Sequence, residues 1–95
     1  MPAYVIVRVN VTHMDTYSEY MKHTPATVAQ YGGKFVVRGG DVTTLEGNKE
    51  TRRVVLLQFD SIDAAKAWYH SPEYQAAKAI REGAADAQFI AIEGA

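Results

Sequence analysis

"AYVIVRVNV", residues 3–11, is apolar on both sides of its alternation: Val5, Val7, Val9 and Val11 share one side, Tyr4 and Ile6 the other. Successive side chains of a strand point to opposite faces, so a sheet covered on one face reads apolar inward and polar outward. This stretch does not. "RRVVLLQF", residues 52–59, repeats the pattern, with Val55, Leu57 and Phe59 on one side and Val54 and Leu56 on the other. β-branched runs bounded by turn residues predict strands, and two strands of this kind need cover on both faces.

Between them, residues 12–31 place Met14, Tyr17, Met21, Val28 and Tyr31 at helical spacing. Thr12, with Asp15 three residues on, is the expected N-cap. Pro25 predicts a kink or break near Thr24, and Gly32-Gly33 a helix stop. "KFVVR", residues 34–38, reads as the second strand, and residues 39–50 as a long loop. Ser61 caps a second helix carrying Ala65, Trp68 and Tyr69. "HSPEY" restarts it, with Ser71 as N-cap and Pro72 at the first helical position. That half continues through Ala77, Ile80 and Arg81, and "AQFIAIE", residues 87–93, is the last strand.

The order β-α-β-β-α-β predicts one α+β domain over residues 1–95. It is the ferredoxin-like plan, a four-stranded antiparallel sheet with two helices on one face. In this plan residues 3–11 and 52–59 are the central strands. The helices cover one apolar face, and the other is a patch that a monomer rarely exposes. A second copy related by a two-fold axis is the simplest cover, so a homodimer through the sheet face is expected.

Composition narrows the function. Hydrophobic residues make up 47% of the 95 residues and the net charge is −1. No basic excess is available for phosphate backbones, so no nucleic-acid partner is expected. The absence of cysteine excludes disulfides and thiolate chemistry. No apolar run approaches the roughly 20 residues that span a bilayer, and "MPAYVIVRVN" lacks the marks of a signal peptide. The expectation is a cytoplasmic chain with no membrane partner. His13, His23 and His70 show no metal-ligand spacing, so they are expected at the surface and no metal is expected.

Three groups of residues bear on chemistry. Arg8, Asn10 and Gln58 give the second sheet face polar ends, which suits either a ligand cavity or interface hydrogen bonds. Tyr17, Tyr20, Trp68, Tyr69 and Tyr74 lie on the helices. Tyr17 and Trp68 match core-facing stripes, and tyrosine hydroxyls at a cleft also orient ligands. In "GGKFVVRGGDVTTLEG", residues 32–47, the double glycine after Arg38 lets the loop turn back so that Glu46 meets an arginine. That pair is either a structural pin or an arginine fork for a ligand anion, with Glu46 as orienter or base.

"YGGKFVVRGG", "LEG", "VVLLQFDSIDAAKAWYHSPEYQ" and "IREGAAD" together resemble the DUF1330 family, a domain of unknown function in the dimeric α/β-barrel superfamily. The matching pattern takes in Gly32, Gly33, Arg38, Gly39, Gly40, Glu46, Gly47 and Arg53, and further on Phe59, Ala65, Trp68, Tyr69, Ser71, Tyr74 and Arg81. The resemblance implies a ferredoxin-like protomer and a dimer enclosing a shared barrel. The wider superfamily includes cofactor-free monooxygenases of polyketide quinones, muconolactone isomerases and haem-dependent chlorite dismutases. None of the three histidines suits a haem, so no cofactor is expected.

Two functions are open on this reading. One is a small-molecule-binding dimer, a cofactor-independent enzyme acting on an aromatic or keto-acid compound. There Arg38 and Arg81 hold an anionic oxygen, Glu46 acts as base or orienter, Tyr69 or Tyr74 donates a hydrogen bond, and Arg53 joins the cluster. The other is a non-catalytic binding or assembly module in which the arginines only pin the long loop.

Overall fold

A computed structural model describes residues 1–95. The elements run β1 (Ala3–Val11), α1 (Met14–Gln30), β2 (Lys34–Arg38), β3 (Arg53–Phe59), α2 (Ile62–His70), α3 (Pro72–Ile80) and β4 (Ala85–Glu93). The four strands form one antiparallel sheet in the order β2-β3-β1-β4, the ferredoxin-like arrangement with β1 and β3 at its centre. The expected second helix is two, α2 and α3, broken at Ser71. Ser61 and Ser71 cap them by accepting from the Ala64 and Tyr74 amides, and Pro72 opens α3.

The helices pack against one face. Val5, Val7 and Val9 of β1 and Val55, Leu57 and Phe59 of β3 are buried beneath Tyr17, Tyr20 and Val28 of α1, Ala65 and Trp68 of α2, and Tyr74 and Ala77 of α3. The opposite face carries Tyr4 and Ile6, registered against Gln58 and Leu56 of β3 and against Ile92 and Ile90 of β4. Ile90 and Ile92 remain 40% and 52% exposed.

Helix α1 departs from expectation in three ways. His13 occupies the N-cap position, not Thr12, and makes no side-chain cap bond; the Ala84 carbonyl instead accepts from the Thr12 and His13 amides. Pro25 does not break the helix, which runs unbroken from Met14 to Gln30. A proline lacks the amide that would bond four residues back, and the Met21 carbonyl so released accepts from Arg38 Nη2 at 2.8 Å. Its face is also turned: Met14 is 53% exposed, while Tyr20, Thr24 and Thr27 are buried. The two threonine hydroxyls are satisfied by the Met21 and Thr24 carbonyls, so polar residues occupy the buried stripe without loss.

A bulge in β2 determines where Arg38 points. Phe35 is registered with Leu57, Val37 with Leu56 and Arg38 with Val55. In a regular strand Arg38, three residues beyond Phe35, would lie on the opposite face. The extra residue reverses that phase and brings Arg38 to the helix side, its guanidinium 4.5 Å from the Phe35 ring centroid.

Candidate functional site

Three arginines converge under the helices. Arg38 arrives through the bulge and Arg53 begins β3, while Arg81 follows α3 as its C-cap. Arg53 has room because position 39 is glycine: a Cβ there would overlap the Arg53 guanidinium, and its φ of +72° already favours glycine. The double glycine after Arg38 thus makes space for Arg53. All three arginines act on the Tyr17 hydroxyl. None has a carboxylate partner, since the ion pairs of the chain are Arg8–Glu50, Lys22–Glu19 and Arg52–Glu50.

A hydroxyl pair stands beside them. Tyr20 and Tyr74 meet oxygen to oxygen at 2.8 Å, both buried. Trp68 supports Tyr74 at a ring-centroid distance of 4.3 Å and donates from Nε1 to Thr27 Oγ1 at 3.1 Å. Arg81 is 9% exposed. Its guanidinium carbon lies 5.5 Å from the Tyr20 ring and 5.2 Å from the Phe89 ring, and its Nε has no hydrogen-bond partner.

Burial pushes the Tyr17 hydroxyl above the ordinary phenol value, against the pull of Arg53, Arg81 and Arg38. Burial raises Tyr20 too, and the neighbouring Tyr74 adds to it. Tyr74 is raised by burial against the lowering effect of its hydrogen bond with Tyr20 and the nearby Arg81 charge. Burial acts to lower Arg81, but Tyr74 and Tyr20 outweigh it and its pKa ends raised. At neutral pH the cluster is therefore neutral phenols among charged guanidiniums.

Two spaces adjoin this cluster. A cavity of about 30 Å³ lies under α1, with Tyr17, Tyr20, Arg38 and Arg53 on a wall otherwise made largely of core side chains. A cleft of about 420 Å³ opens between α2, α3 and β4, a size in the range of small-molecule sites. Trp68 and Phe89 line both. The floor of the cleft is aromatic and aliphatic, including Tyr69, Phe89 and Ile90. Its polar groups are Lys66, His70, Lys78 and Arg81, with no carboxylate.

The sequence candidates are therefore divided. Arg38 and Arg53 line the cavity, Tyr69 and Arg81 line the cleft, and Tyr74 is wholly buried. Glu46 joins neither. It is exposed in the loop and forms no ion pair with Arg38. Glu50 takes the role expected of Glu46, bonding Arg52 Nε at 2.9 Å and Arg8 Nε at 3.2 Å. The physical reason is reach: Glu50 adjoins the start of β3, beside Arg52 and across from Arg8, whereas Glu46 sits mid-loop.

A family model described as a domain of unknown function, DUF1330, matches residues 2–95. The chain belongs to the DUF1330 family. Similar structures fall in two groups. A protein of unknown function from Rhodopseudomonas palustris superposes with a TM-score of 0.78 at 21% identity, covering 99% of this chain and 82% of the other. A dimeric ferredoxin-like protein of unknown function from Jannaschia sp. CCS1 gives 0.72 at 16% identity, covering 99% and 100%. SnoaB, a cofactor-independent oxygenase from Streptomyces nogalater, gives 0.70 at 15% identity, covering 99% and 93%. These likenesses establish the fold. Among curated proteins none matches significantly.

Within this DUF1330 chain, sequence reading passed over Lys66, Lys78 and Phe89 as site residues. Lys66 and Lys78 flank a helix break whose angle decides what they face, so no local signal marks them. His70 was expected at the surface. It is exposed, and it also lines the cleft, edge-on to Tyr69 at 5.3 Å. No three His, Asp or Glu side chains are grouped as a metal site requires, and no helix is long and apolar enough to cross a membrane.

Proposed function

We propose that this protein is a homodimer that binds a small anionic aromatic or keto-acid compound in the cleft beside β4 and acts on it without a cofactor. The observation that carries the reading is the make-up of the cleft: an apolar, aromatic floor with Lys66, His70, Lys78 and Arg81 around it and no acid, in a chain whose net charge is −1. An anion is the ligand such a field attracts. Arg81, its Nε unpaired, holds the anionic oxygen. Tyr69 and Phe89 take the planar body of the ligand. His70 is the lining group whose imidazole nitrogen can serve as a general base. It accepts a proton from an acidic C–H of the bound compound, leaving an enolate beside Arg81 and an imidazolium. The fold-level similarity to a cofactor-independent oxygenase supports chemistry of this class by analogy only.

The dimer forms through the open sheet face. Tyr4, Ile6, Leu56, Ile90 and Ile92 make a patch that a second copy covers, and two facing sheets close the shared barrel. Similar proteins described as dimeric support it.

The test is a thermal-shift panel of aromatic carboxylates, keto acids, phenols and quinones against wild type, Lys78→Ala and Arg81→Gln, followed by turnover assays on each hit. A bound carboxylate at about 100 times its Kd stabilises wild type by about 2.7 kcal/mol, and both variants lose most of that shift. A panel without hits, or equal shifts in all three proteins, overturns the binding reading. A hit without turnover leaves the non-catalytic binding module.

A further inference from the structure

The cavity under α1 is separate from the cleft, and its contents are a question of charge balance. Its volume of about 30 Å³ exceeds the roughly 10–15 Å³ that one water needs. It therefore admits one compact species and nothing the size of an aromatic ligand. Val55 and Leu57 supply part of its apolar wall, while Tyr17, Tyr20, Arg38 and Arg53 supply the polar part. Arg53 Nε is buried and has no hydrogen-bond partner.

The positive charge here has no ion-pair partner within the protein. None of the cavity-lining residues is an acid, and the three ion pairs of the chain engage other cations. A guanidinium does not deprotonate in a protein, so the charge does not vanish by titration. Tyr17 does not cancel it as a phenolate, because burial holds its hydroxyl protonated. Arg38 spends one nitrogen on the Met21 carbonyl and one face on the Phe35 ring, and neither partner carries a net charge. Apolar walls strengthen whatever electrostatic interaction remains. Arg38 itself is exposed, which puts a charged residue where the cavity meets solvent.

We propose that this cavity is a binding site for one compact monovalent anion, a halide or formate, held by Arg53, Arg38 and the Tyr17 hydroxyl. This does not rest on the occupant of the cleft. Chloride from the medium and the carboxylate of a small metabolite offer the same chemistry, and size separates them.

The experiment measures wild type in sodium chloride, sodium formate and sodium isethionate at equal ionic strength, isethionate being too large for the space. Thermal midpoints are recorded with the excess broadening of the chloride resonance in nuclear magnetic resonance. The expected result is a saturable rise of several degrees in chloride and formate over isethionate, with chloride broadening that formate competes away. Broadening that formate leaves untouched restricts the site to free halide and supports it in that form. Arg53→Gln weakens chloride by about tenfold or more, as loss of a charged hydrogen bond does; Tyr17→Phe weakens it less. Lys66→Gln and Lys78→Gln in the cleft leave it unchanged. If Arg53→Gln does not fold, Tyr17→Phe and the two lysine variants decide. Identical midpoints in all three salts with no excess broadening mean that water alone fills the cavity, and the proposal falls. It falls equally if an aromatic carboxylate bound in the cleft displaces the chloride.

Discussion

Arg8 and Arg52, at the exposed end of the sheet, share one carboxylate, while Arg38, Arg53 and Arg81, under the helices, have none. The first group lies where water screens charge, and there the ion pairs serve to tether the loop that leads into β3. In the second, Arg81 is buried and Arg53 half-buried, where charge is costly, while Arg38 stands exposed at the edge, and none of the three has an acid partner. Exposed pairs contribute little to stability, and unpaired interior charge costs stability unless something compensates it. The contrast separates charge paired within the chain from charge left without an acid partner.

The largest expected effect attacks the frame of the interior group. Trp68 is fully buried, packs on Phe59 and Tyr74 and bonds Thr27. Trp68→Ala is expected to cost about 3–5 kcal/mol by denaturant unfolding. Leu45→Ala on the loop, where Leu45 is 93% exposed, is expected to cost nothing measurable. Comparable losses would erase the distinction between frame and loop.

An intermediate effect tests the hydroxyl pair. Tyr20→Phe leaves the Tyr74 hydroxyl buried without its partner and is expected to cost about 1–3 kcal/mol. Tyr74→Phe should cost the same, and the double variant less than the sum. Strict additivity would show that the two oxygens do not interact. The same pair has a pH signature. Folded-state phenols raised above the ordinary 10.0 contribute stability that is whole below pH 10 and is lost as pH climbs past it.

The smallest effect belongs to the exposed group. The Arg52 hydrogen bonds, aided by the nearby Arg8 charge, hold the Glu50 carboxyl down at about 2, against an ordinary 4.5. A depressed carboxylate stabilises above its unfolded value and ceases to do so as pH falls through its folded one. Between pH 4.5 and 2 the loop should therefore become cleavable by an acid-active protease while the sheet amides stay protected from hydrogen exchange. Sheet and loop opening together would make Glu50 part of the core fold.

The element order, the two central strands and the caps at Ser61 and Ser71 were legible because each depends on local chemistry and on alternation along a few residues. The errors in α1 share one cause. Thr12, Pro25 and Met14 were judged by local rules, whereas Ala84, Arg38 and the rotation of the packed face settled them from elsewhere in the chain. Arg38, Arg53 and Arg81 are named as site candidates from the sequence, and the structure places the first two at the cavity and the third at the cleft. Their surroundings are not legible: Glu46 is expected to meet an arginine, but the carboxylate that does so is Glu50, because sequence distance says nothing of how a long loop runs.

By itself, then, the sequence determined a ferredoxin-like chain with two apolar sheet faces, because side-chain alternation is a property of the strand alone. The tertiary structure decided which charges meet. A bulge of one residue turned Arg38 to the helix side, a missing Cβ at Gly39 admitted Arg53, and the packing of α2 and α3 against β4 set what lines the cleft. Each of these sets the direction of a side chain across a packed interior, and direction over that distance is written in the contacts of the fold rather than in any neighbouring residue.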